Sequence, residues 1–299
     1  MTEPGIHAIP ADEYHADNIA DTPTLSATIA TTLCAQTPAH AWANHPKLNP
    51  NYEREEKPHY DLGTIVHQLL LEGHTNSLVA IDADNYRTNA AKEERDAAYA
   101  AGLTPILVRE LPRVQAMVDA VTDRLAGHEA DPPLFSDGLA ERTLVWEEAG
   151  GVVCRARLDW LRDDRAAIDD LKTTGRSADP EACSRMLFGL GYDVRASFYL
   201  RGLAAVVGPV VAGMAEFRWC FIETEPPYAL SVVSPGPDVL AVGDAKVEYA
   251  INRWRECLKA DVWPGYPTRV CYAELPAWEE ARWLAKEIRE DESERRRAA

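Results

Sequence analysis

The fold is decided by residues 141–172, which read ERTLVWEEAGGVVCRARLDWLRDDRAAIDDLK. Runs of branched and aromatic side chains, which favour strands, lie at 141–147, 152–160 and 166–172. Turn-forming residues separate these runs, AGG at 149–151 and DDR at 163–165. Because so short a connection joins antiparallel neighbours, the stretch predicts a three-stranded antiparallel meander.

The meander also carries charged residues in a pattern that suits metal chemistry. Side chains alternate along a strand, so Asp170 and Lys172 face the same side, and the preceding turn brings Asp159 beside Asp170. Two neighbouring carboxylates repel each other, and a divalent cation that prefers oxygen ligands, Mg²⁺ or Mn²⁺, relieves the repulsion. A lysine beside such an ion can orient or deprotonate the water that attacks a phosphodiester. The residues alone leave a second interpretation open, which is an edge hairpin with a solvated Asp–Lys pair.

The flanking sequence alternates between helical and strand patterns. Before the meander, apolar spacing and start signals predict helices at about 26–35, from near Pro38, at 63–73 and at 106–127. After it, the pattern predicts helices at about 179–189 and 192–207, strands at 215–223 and 228–234, and a helix at about 237–260. No element is predicted for the polar, Ala-rich residues 75–105. The whole indicates an α/β core around one mixed sheet.

The motifs resemble those of a known family. Asp159, followed by Asp170-Leu171-Lys172, is similar to the PD-(D/E)XK nuclease motif. The longer string at 168–203, IDDLKTTGRSADPEACSRMLFGLGYDVRASFYLRGL, resembles the RecE, or exodeoxyribonuclease VIII, branch. So do EYHADN at 13–18, LSATIA at 25–30 and TPAHAW at 37–42, and the resemblance runs from about Tyr14 to Trp263. It implies a restriction-endonuclease-like α/β core, a mixed central sheet with an antiparallel meander flanked by helices.

The resemblance also implies roles for individual residues. Asp159 and Asp170 would be metal ligands together with the backbone carbonyl of Leu171, and Lys172 would be the catalytic lysine of a two-metal phosphodiester hydrolase. GTIVHQLLLEG at 63–73 is similar to the His-containing helix of the branch, so His67 would complete the metal site. Without the resemblance, a histidine between apolar neighbours is more often a core residue.

Further candidates lie around this group. The family carries a Gln-x-x-x-Tyr motif after the catalytic strand, and RASFY here supplies Tyr199 but has Arg195 in place of the glutamine. Arg195 could contact a DNA phosphate, or it could mark weakened catalysis, and Tyr199 could bind substrate or pack in the core. Thr173 and Thr174 are expected near phosphate. Glu141 is a weaker candidate, similar to an acidic position seen before the catalytic aspartate.

Charge and composition narrow the class of protein. A net charge of −17 disfavours casual DNA binding, but residues 154–201 carry nine basic and eight acidic side chains, which permits binding at one site. No stretch of apolar residues is long enough to predict a membrane span. The first residues contain neither a basic segment nor the apolar run that follows it in a secretory signal, so no such signal is predicted. Six scattered cysteines without a C-x-x-C pair favour a reducing cytoplasm and no iron–sulfur cluster.

Three parts of the chain are predicted: an N-terminal helical or irregular segment (1–60) packed on the core, a nuclease domain (61–275) and a charged C-terminal helix or tail (276–299). The resemblance implies an exonuclease that degrades double-stranded DNA from an end, 5′ to 3′, leaving a 3′ strand for recombination by annealing. It further implies a homo-oligomeric ring and a single-strand annealing partner encoded by a phage or prophage. A catalytically weakened DNA-end-binding accessory protein and a structure-specific endonuclease remain as alternatives.

Overall fold

The predicted meander forms the centre of a mixed seven-stranded sheet. A computed structural model describes residues 2–53, 61–73 and 78–298, so the boundary predicted at residue 60 falls outside the described part. The strands are β1 (Gly5–His7), β2 (Leu25–Ser26), β3 (Leu78–Ile81), β4 (Thr104–Leu107), β5 (Gly138–Glu148), β6 (Val152–Arg162), β7 (Ala167–Thr174), β8 (Glu216–Glu223) and β9 (Leu230–Val233). The helices are α1 (Ala11–His15), α2 (Ala27–Ala35), α3 (Pro38–Ala43), α4 (Asp61–Leu71), α5 (Asn89–Ala100), α6 (Leu111–Ala126), α7 (Pro180–Gly189), α8 (Tyr192–Val207), α9 (Pro209–Ala212), α10 (Pro237–Ala260) and α11 (Ala277–Ala298).

The order of the sheet is β1-β5-β6-β7-β8-β9, and β2 pairs with β6 beside this path. The pairs β5–β6 and β6–β7 are antiparallel, as predicted. β8 lies parallel to β7, and β9 returns antiparallel to β8. The prediction of an α/β fold with a mixed central sheet, an antiparallel meander and flanking helices is therefore confirmed.

The register between β6 and β7 decides which side chains meet at the centre of the sheet. Trp160 pairs with Asp169, and Leu161 pairs with Ile168. Because antiparallel pairs run in opposite directions, the next pair in this register would be Asp159 with Asp170. Asp159 and Asp170 thus occupy facing positions on neighbouring strands, as the short turn between the strands predicted.

Helix α4 reaches the sheet through a close contact at Gly63. A Cβ at this position would lie 2.8 Å from the Thr173 hydroxyl on β7, so a larger residue there would push the helix away from the strand. The side chains of Ile65 and Val66 are fully buried beneath the helix. This packing holds His67, the next residue, over the ends of β5 and β6.

The largest hydrophobic core lies between the sheet and helices α2, α8 and α10. Ser26 begins α2 by accepting a hydrogen bond from the backbone N–H of Ile29, which satisfies one of the free N–H groups of the first turn. On α8, Gly202 packs against the Trp146 ring, and a Cβ at this position would lie 2.6 Å from it. The close approach at Gly202 anchors α8, which carries Arg195, against β5.

Residues 75–105, for which no element was predicted, contain β3, α5 and the start of β4 within their described part. β4 continues to Leu107, so the helix predicted at 106–127 begins only at Leu111. β3 and β4 pair in parallel as a small separate sheet, with α5 between them in sequence. The N-terminal part, expected to be helical or irregular, also contributes β1 and β2 to the central sheet. Strands as short as these carry too few residues for the alternation of side chains to be visible.

The chain divides into two compact units, Met1–Pro264 and Gly265–Ala299. The second unit contains α11, an amphipathic helix that exposes Trp278, Leu284 and Ile288. Within the described residues, no helix combines the length and the apolar character needed to cross a membrane.

Candidate metal centre

Asp159, Asp170 and Lys172 meet on one face of the meander. Lys172 forms a close ion pair with the Asp170 carboxylate, and its Nζ lies 3.6 Å from Asp159 Oδ2. The same ammonium donates a hydrogen bond to the Leu171 carbonyl, at 3.1 Å. The backbone N–H of Leu171 in turn donates to Asp159 Oδ2, at 2.8 Å. The structure thus brings together the three side chains that the strand pattern singled out and the carbonyl that the resemblance implied.

His67 joins this group from α4. Its Nε2 lies 3.4 Å from Asp159 Oδ2, and its Nδ1 lies 3.4 Å from Glu141 Oε1. One nitrogen of His67 and one oxygen from each of the two carboxylates lie within 4.8 Å of one another, close enough to share a metal ion. Glu141, the weaker candidate, is therefore placed with His67 and Asp159, while Asp170 is linked to Asp159 through Lys172, which lies close to both carboxylates.

The electrostatics of the site follow from burial and from this concentration of charge. The pKa of Asp170 is raised, chiefly because burial disfavours the charged carboxylate. The positive charge of Lys172 acts in the opposite direction, and the negative charge of Asp159 raises the pKa further. Burial alone would raise the pKa of Asp159 too, but Lys172 and His67 outweigh it, so this pKa is lowered. Burial also opposes protonation of Lys172 and His67, yet the neighbouring carboxylates raise the pKa of both. Lys172 is consequently an ammonium and Asp159 a carboxylate at neutral pH.

The donor atoms fit a hard divalent cation. The Asp170 side chain is 1% exposed, and neither oxygen receives a well-oriented hydrogen bond from the described residues, although Lys172 supplies an opposite charge. Carboxylate oxygens, a backbone carbonyl and an imidazole nitrogen are suitable ligands for Mg²⁺ or Mn²⁺. A carboxylate with unfilled lone pairs in a buried site is costly unless a cation satisfies it.

Arg195 and Tyr199 lie next to this centre on α8. Arg195 is half-buried, and its guanidinium carbon lies 5.6 Å from the centre of the Tyr192 ring. Burial alone would lower the pKa of the Arg195 guanidinium, but its electrostatic interactions with Tyr199 and Asp170 are stronger, so this pKa is raised. Tyr199 is 7% exposed and belongs to the main core, and burial raises the pKa of its hydroxyl well above the usual value. Its position therefore suits packing beneath Arg195.

The two threonines after Lys172 occupy different surroundings. Thr173 faces Gly63 of α4, as described above, and is half-buried. The Thr174 hydroxyl accepts a hydrogen bond from the backbone N–H of Arg176. Both follow Lys172 directly at the end of β7, and Thr173 lies on the opposite face of the strand from Lys172.

Two nearby residues were not singled out by the sequence. Arg157 forms a close ion pair with Glu141 and donates a hydrogen bond to the Ile9 carbonyl, at 2.6 Å. The Tyr192 ring faces the Lys172 ammonium, at 5.9 Å from its centre. Arg157 lies only two residues before Asp159 on β6, and this proximity was the one sign in the sequence that it would lie near the centre.

A comparison with protein-family models finds one that covers most of the chain. The model described as "PDDEXK-like domain of unknown function (DUF3799)" matches residues 31–275, a range that contains every residue of the centre. A search of curated proteins gives no match.

Solved structures provide a comparison of folds. A crystal structure described as "Putative exonuclease", from Eubacterium rectale, superposes with a TM-score of 0.59 at 14% identity, over 90% of this chain and 96% of that one. At this identity the likeness concerns the fold alone. A phage related exonuclease from Haemophilus somnus reaches a TM-score of only 0.25, at 12% identity, over 72% of this chain and 100% of that one.

Proposed function

The chain belongs to the PDDEXK-like family DUF3799, and from this premise we propose that it is a metal-dependent nuclease that hydrolyses DNA phosphodiester bonds. The observation that carries the proposal is the convergence of Asp159, Asp170, Lys172 and His67 on one face of the β6–β7 hairpin. Two carboxylates, one ammonium and one imidazole, largely withdrawn from water, form a set that suits hydrolysis of a phosphodiester with Mg²⁺ or Mn²⁺.

Each residue has a task in this proposal. Asp159, Asp170, His67 and the Leu171 carbonyl would hold the cation, which when bound supplies an activated water and neutralises charge on the phosphate. Lys172, kept protonated by the carboxylates, donates a hydrogen bond that orients the attacking water or the phosphate oxygen. A preorganised ammonium of this kind stabilises the negative charge that develops in the transition state.

The substrate contacts extend along the edge of the same site. Arg195 would bind a phosphate with two parallel N–H donors, a geometry that glutamine cannot reproduce with the same charge. Thr173 and Thr174 would line the entrance, and Tyr199 would support Arg195 from below. The local balance of charge around the centre would let an acidic protein bind DNA at this one place.

We further propose that the preferred substrate is an end of double-stranded DNA, degraded from 5′ to 3′ in the cytoplasm. The resemblance to the RecE branch motivates this, together with a homo-oligomeric ring and a single-strand annealing partner. Light scattering coupled to size-exclusion chromatography would test the ring, because a monomer at micromolar concentration contradicts it.

A nuclease assay tests the activity and the site together. Linear and covalently closed circular duplexes are incubated with wild type, Asp170→Asn and Asp159→Asn in Mg²⁺, Mn²⁺ or chelator. Each substitution should slow cleavage by roughly 10²-fold or more, the scale expected when one preorganised partner of a charged transition state is lost. Asp164→Asn is the matched control, since Asp164 lies in the turn of the same hairpin, is exposed and pairs with Arg162.

The outcomes separate the candidate functions. Cleavage of linear duplexes only supports an exonuclease, and equal cleavage of circles supports an endonuclease on this fold. Binding of duplex ends without release of nucleotides at any metal concentration would identify an accessory protein. Full activity of Asp170→Asn would show that the centre is not where hydrolysis occurs.

A further inference from the structure

We propose that Arg157 is a positioning residue that, held by the N-terminal arm (residues 2–24), directs the Glu141 carboxylate into the metal centre. The inference rests on the proposed function, because it gives both residues a part in the same metal site. The arm lies before residue 31, where the match to the family model begins. Residues outside the matched range would therefore control the geometry of the centre.

The backbone at Glu141 is the first observation. On β5, Ala140 pairs with Trp160 and Arg142 pairs with Leu158, so Glu141 lies opposite Asp159 of β6. Its φ of 56° lies in the left-handed region, which a glutamate in the middle of a strand rarely adopts. Such a conformation persists only where the surroundings hold it in place, and it is most common at functional sites.

The group that holds the carboxylate is the Arg157 guanidinium. Arg157 precedes Asp159 by two residues on β6, and the two are linked by contacts, since Arg157 pairs with Glu141 while His67 lies close to both Glu141 and Asp159. The Arg157 Nε donates to Glu141 Oε2, while its Nη1 donates to the carbonyl of Ile9 at 2.6 Å. The Glu141 carboxylate is thus shared between Arg157 on one oxygen and His67 on the other. Its position follows directly from that of the guanidinium.

The arm is itself anchored on both sides of Ile9. Before it, β1 pairs with β5, with Gly5 opposite Val145. After it, the Tyr14 ring covers the Arg155 guanidinium, whose central carbon lies 5.1 Å from the centre of the ring.

A buried polar cluster completes the anchor. The Asp17 carboxylate pairs with Arg155 and accepts hydrogen bonds from the hydroxyl and the backbone N–H of Thr24. All three side chains are buried, with exposures of 0%, 3% and 0% for Asp17, Arg155 and Thr24. The Ile9 carbonyl is therefore a fixed acceptor, and the Arg157 guanidinium is held by hydrogen bonds to this carbonyl and to the Glu141 carboxylate.

Two physical roles for Arg157 predict opposite results. A positive charge near a cation site repels the cation, so if Arg157 acted only through its charge, its removal would strengthen metal binding. If Arg157 positions a ligand, its removal releases Glu141 and weakens metal binding instead. A lysine retains the charge but cannot meet both acceptors at once, because only the planar guanidinium presents donors in two directions.

The test measures binding of Mn²⁺ to the full chain by calorimetry, without DNA. Arg157→Met should weaken the affinity by on the order of 10-fold, the usual size of an effect transmitted through a ligand's hydrogen-bond partner. Arg157→Lys should give an intermediate loss. Glu141→Gln should also weaken binding, and the double variant Glu141→Gln with Arg157→Met should lose no more than Glu141→Gln alone, because the second change then has no ligand to misplace.

Arg201→Met is the matched control. Arg201 forms a two-pronged ion pair with Glu148 at the other end of β5, so the control removes a similar arginine–carboxylate contact without touching the centre. Its Mn²⁺ affinity should equal that of wild type. Circular dichroism and thermal unfolding verify that each variant is folded, and if Arg157→Met does not fold, Arg157→Lys and Glu141→Gln carry the test.

Three results would overturn the inference while leaving the proposed function intact. These are an unchanged or tighter Mn²⁺ affinity of Arg157→Met, an unchanged affinity of Arg157→Lys where Arg157→Met is unfolded, and losses that simply add in the double variant. Failure of the proposed function would give different results in the same binding experiment. In that case wild type binds no Mn²⁺, or Asp159→Asn binds it as tightly as wild type, and the inference falls with it.

Discussion

Replacing Lys172 with methionine should destabilise the metal-free protein and make its stability depend on divalent metal. Nζ lies 3.6 Å from Asp159 Oδ2 and in a close pair with the buried Asp170. Two unit charges at such a separation interact by about 5 kcal/mol at an effective dielectric constant near 20, and loss of one partner from a buried pair costs about 3–5 kcal/mol. For a domain larger than about 150 residues this lowers Tm by roughly 6–20 °C.

The assay is thermal unfolding of wild type and Lys172→Met, first in chelator and then with increasing Mn²⁺. In the variant a bound cation replaces the lost ammonium, so Mn²⁺ should raise its Tm by more than it raises that of wild type. At 100 times the dissociation constant, binding alone contributes about 2.7 kcal/mol. DNA cleavage should nevertheless remain lost, because metal restores the charge balance but not the donor.

Lys92→Met, at an exposed position of α5, is the control and should unfold like wild type under both conditions. The reasoning would be refuted if Lys172→Met unfolded at the wild-type temperature in chelator. It would also be refuted if Mn²⁺ stabilised the variant no more than it stabilises wild type. Either result would mean that the ammonium does not compensate the two carboxylates in the folded protein.

Other contacts give further predictions. Arg218→Met should lower the free energy of unfolding by about 3–5 kcal/mol in urea titration, because it strands the buried Asp169 carboxylate; a loss below about 1 kcal/mol contradicts this. Gly202→Ala should cost about 1–3 kcal/mol by crowding the ring of the β5 tryptophan, and wild-type stability would contradict it. Burial raises the pKa of Glu148, but the hydrogen bonds and charge of Arg201 outweigh burial, so the pKa in the folded protein lies below the usual 4.5. The pair therefore stabilises the fold at pH values above 4.5, and this contribution is lost as the pH falls through the lower pKa of the folded state. Glu148→Gln should therefore lose less stability than wild type between pH 6 and pH 3, measured by chemical unfolding, and parallel curves would refute the assignment.

Most of the fold could be predicted because its elements are encoded by local patterns. The strand-favouring runs within residues 141–172 identified β5, β6 and β7, since each strand is at least eight residues long and short turns separate them. The four-residue strands β3 and β4 could not be predicted in the same way. They pair with each other across α5, so their formation depends on contacts that no local window contains.

The residues of the site likewise fall into those that a local pattern could predict and those that it could not. Asp159, Asp170 and Lys172 could be associated from the sequence because one hairpin connects them, and the register of a short hairpin leaves little freedom. His67 and Glu141 lie on other elements, and only the resemblance pointed to them. The link from Ile9 through Arg157 to Glu141 could not be predicted, because it depends on a backbone carbonyl and on a left-handed backbone at Glu141, and no pattern of side chains in the sequence indicates either.

Asp169 and Asp170 show why the final step from sequence to site needs three dimensions. Both are adjacent aspartates, both are buried in β7, and composition does not distinguish them. The Asp169 carboxylate receives two hydrogen bonds from Arg218, at 2.6 and 3.0 Å, and one from the backbone N–H of Phe135, at 2.8 Å, so its oxygens are satisfied and it stabilises the fold. Asp170, on the opposite face, has the Lys172 ammonium but no well-oriented donor among the described residues. A buried carboxylate whose lone pairs are already filled has nothing to offer a cation, whereas one that keeps them unfilled is ready to bind it, and the alternation of the strand assigns these two roles to neighbouring residues.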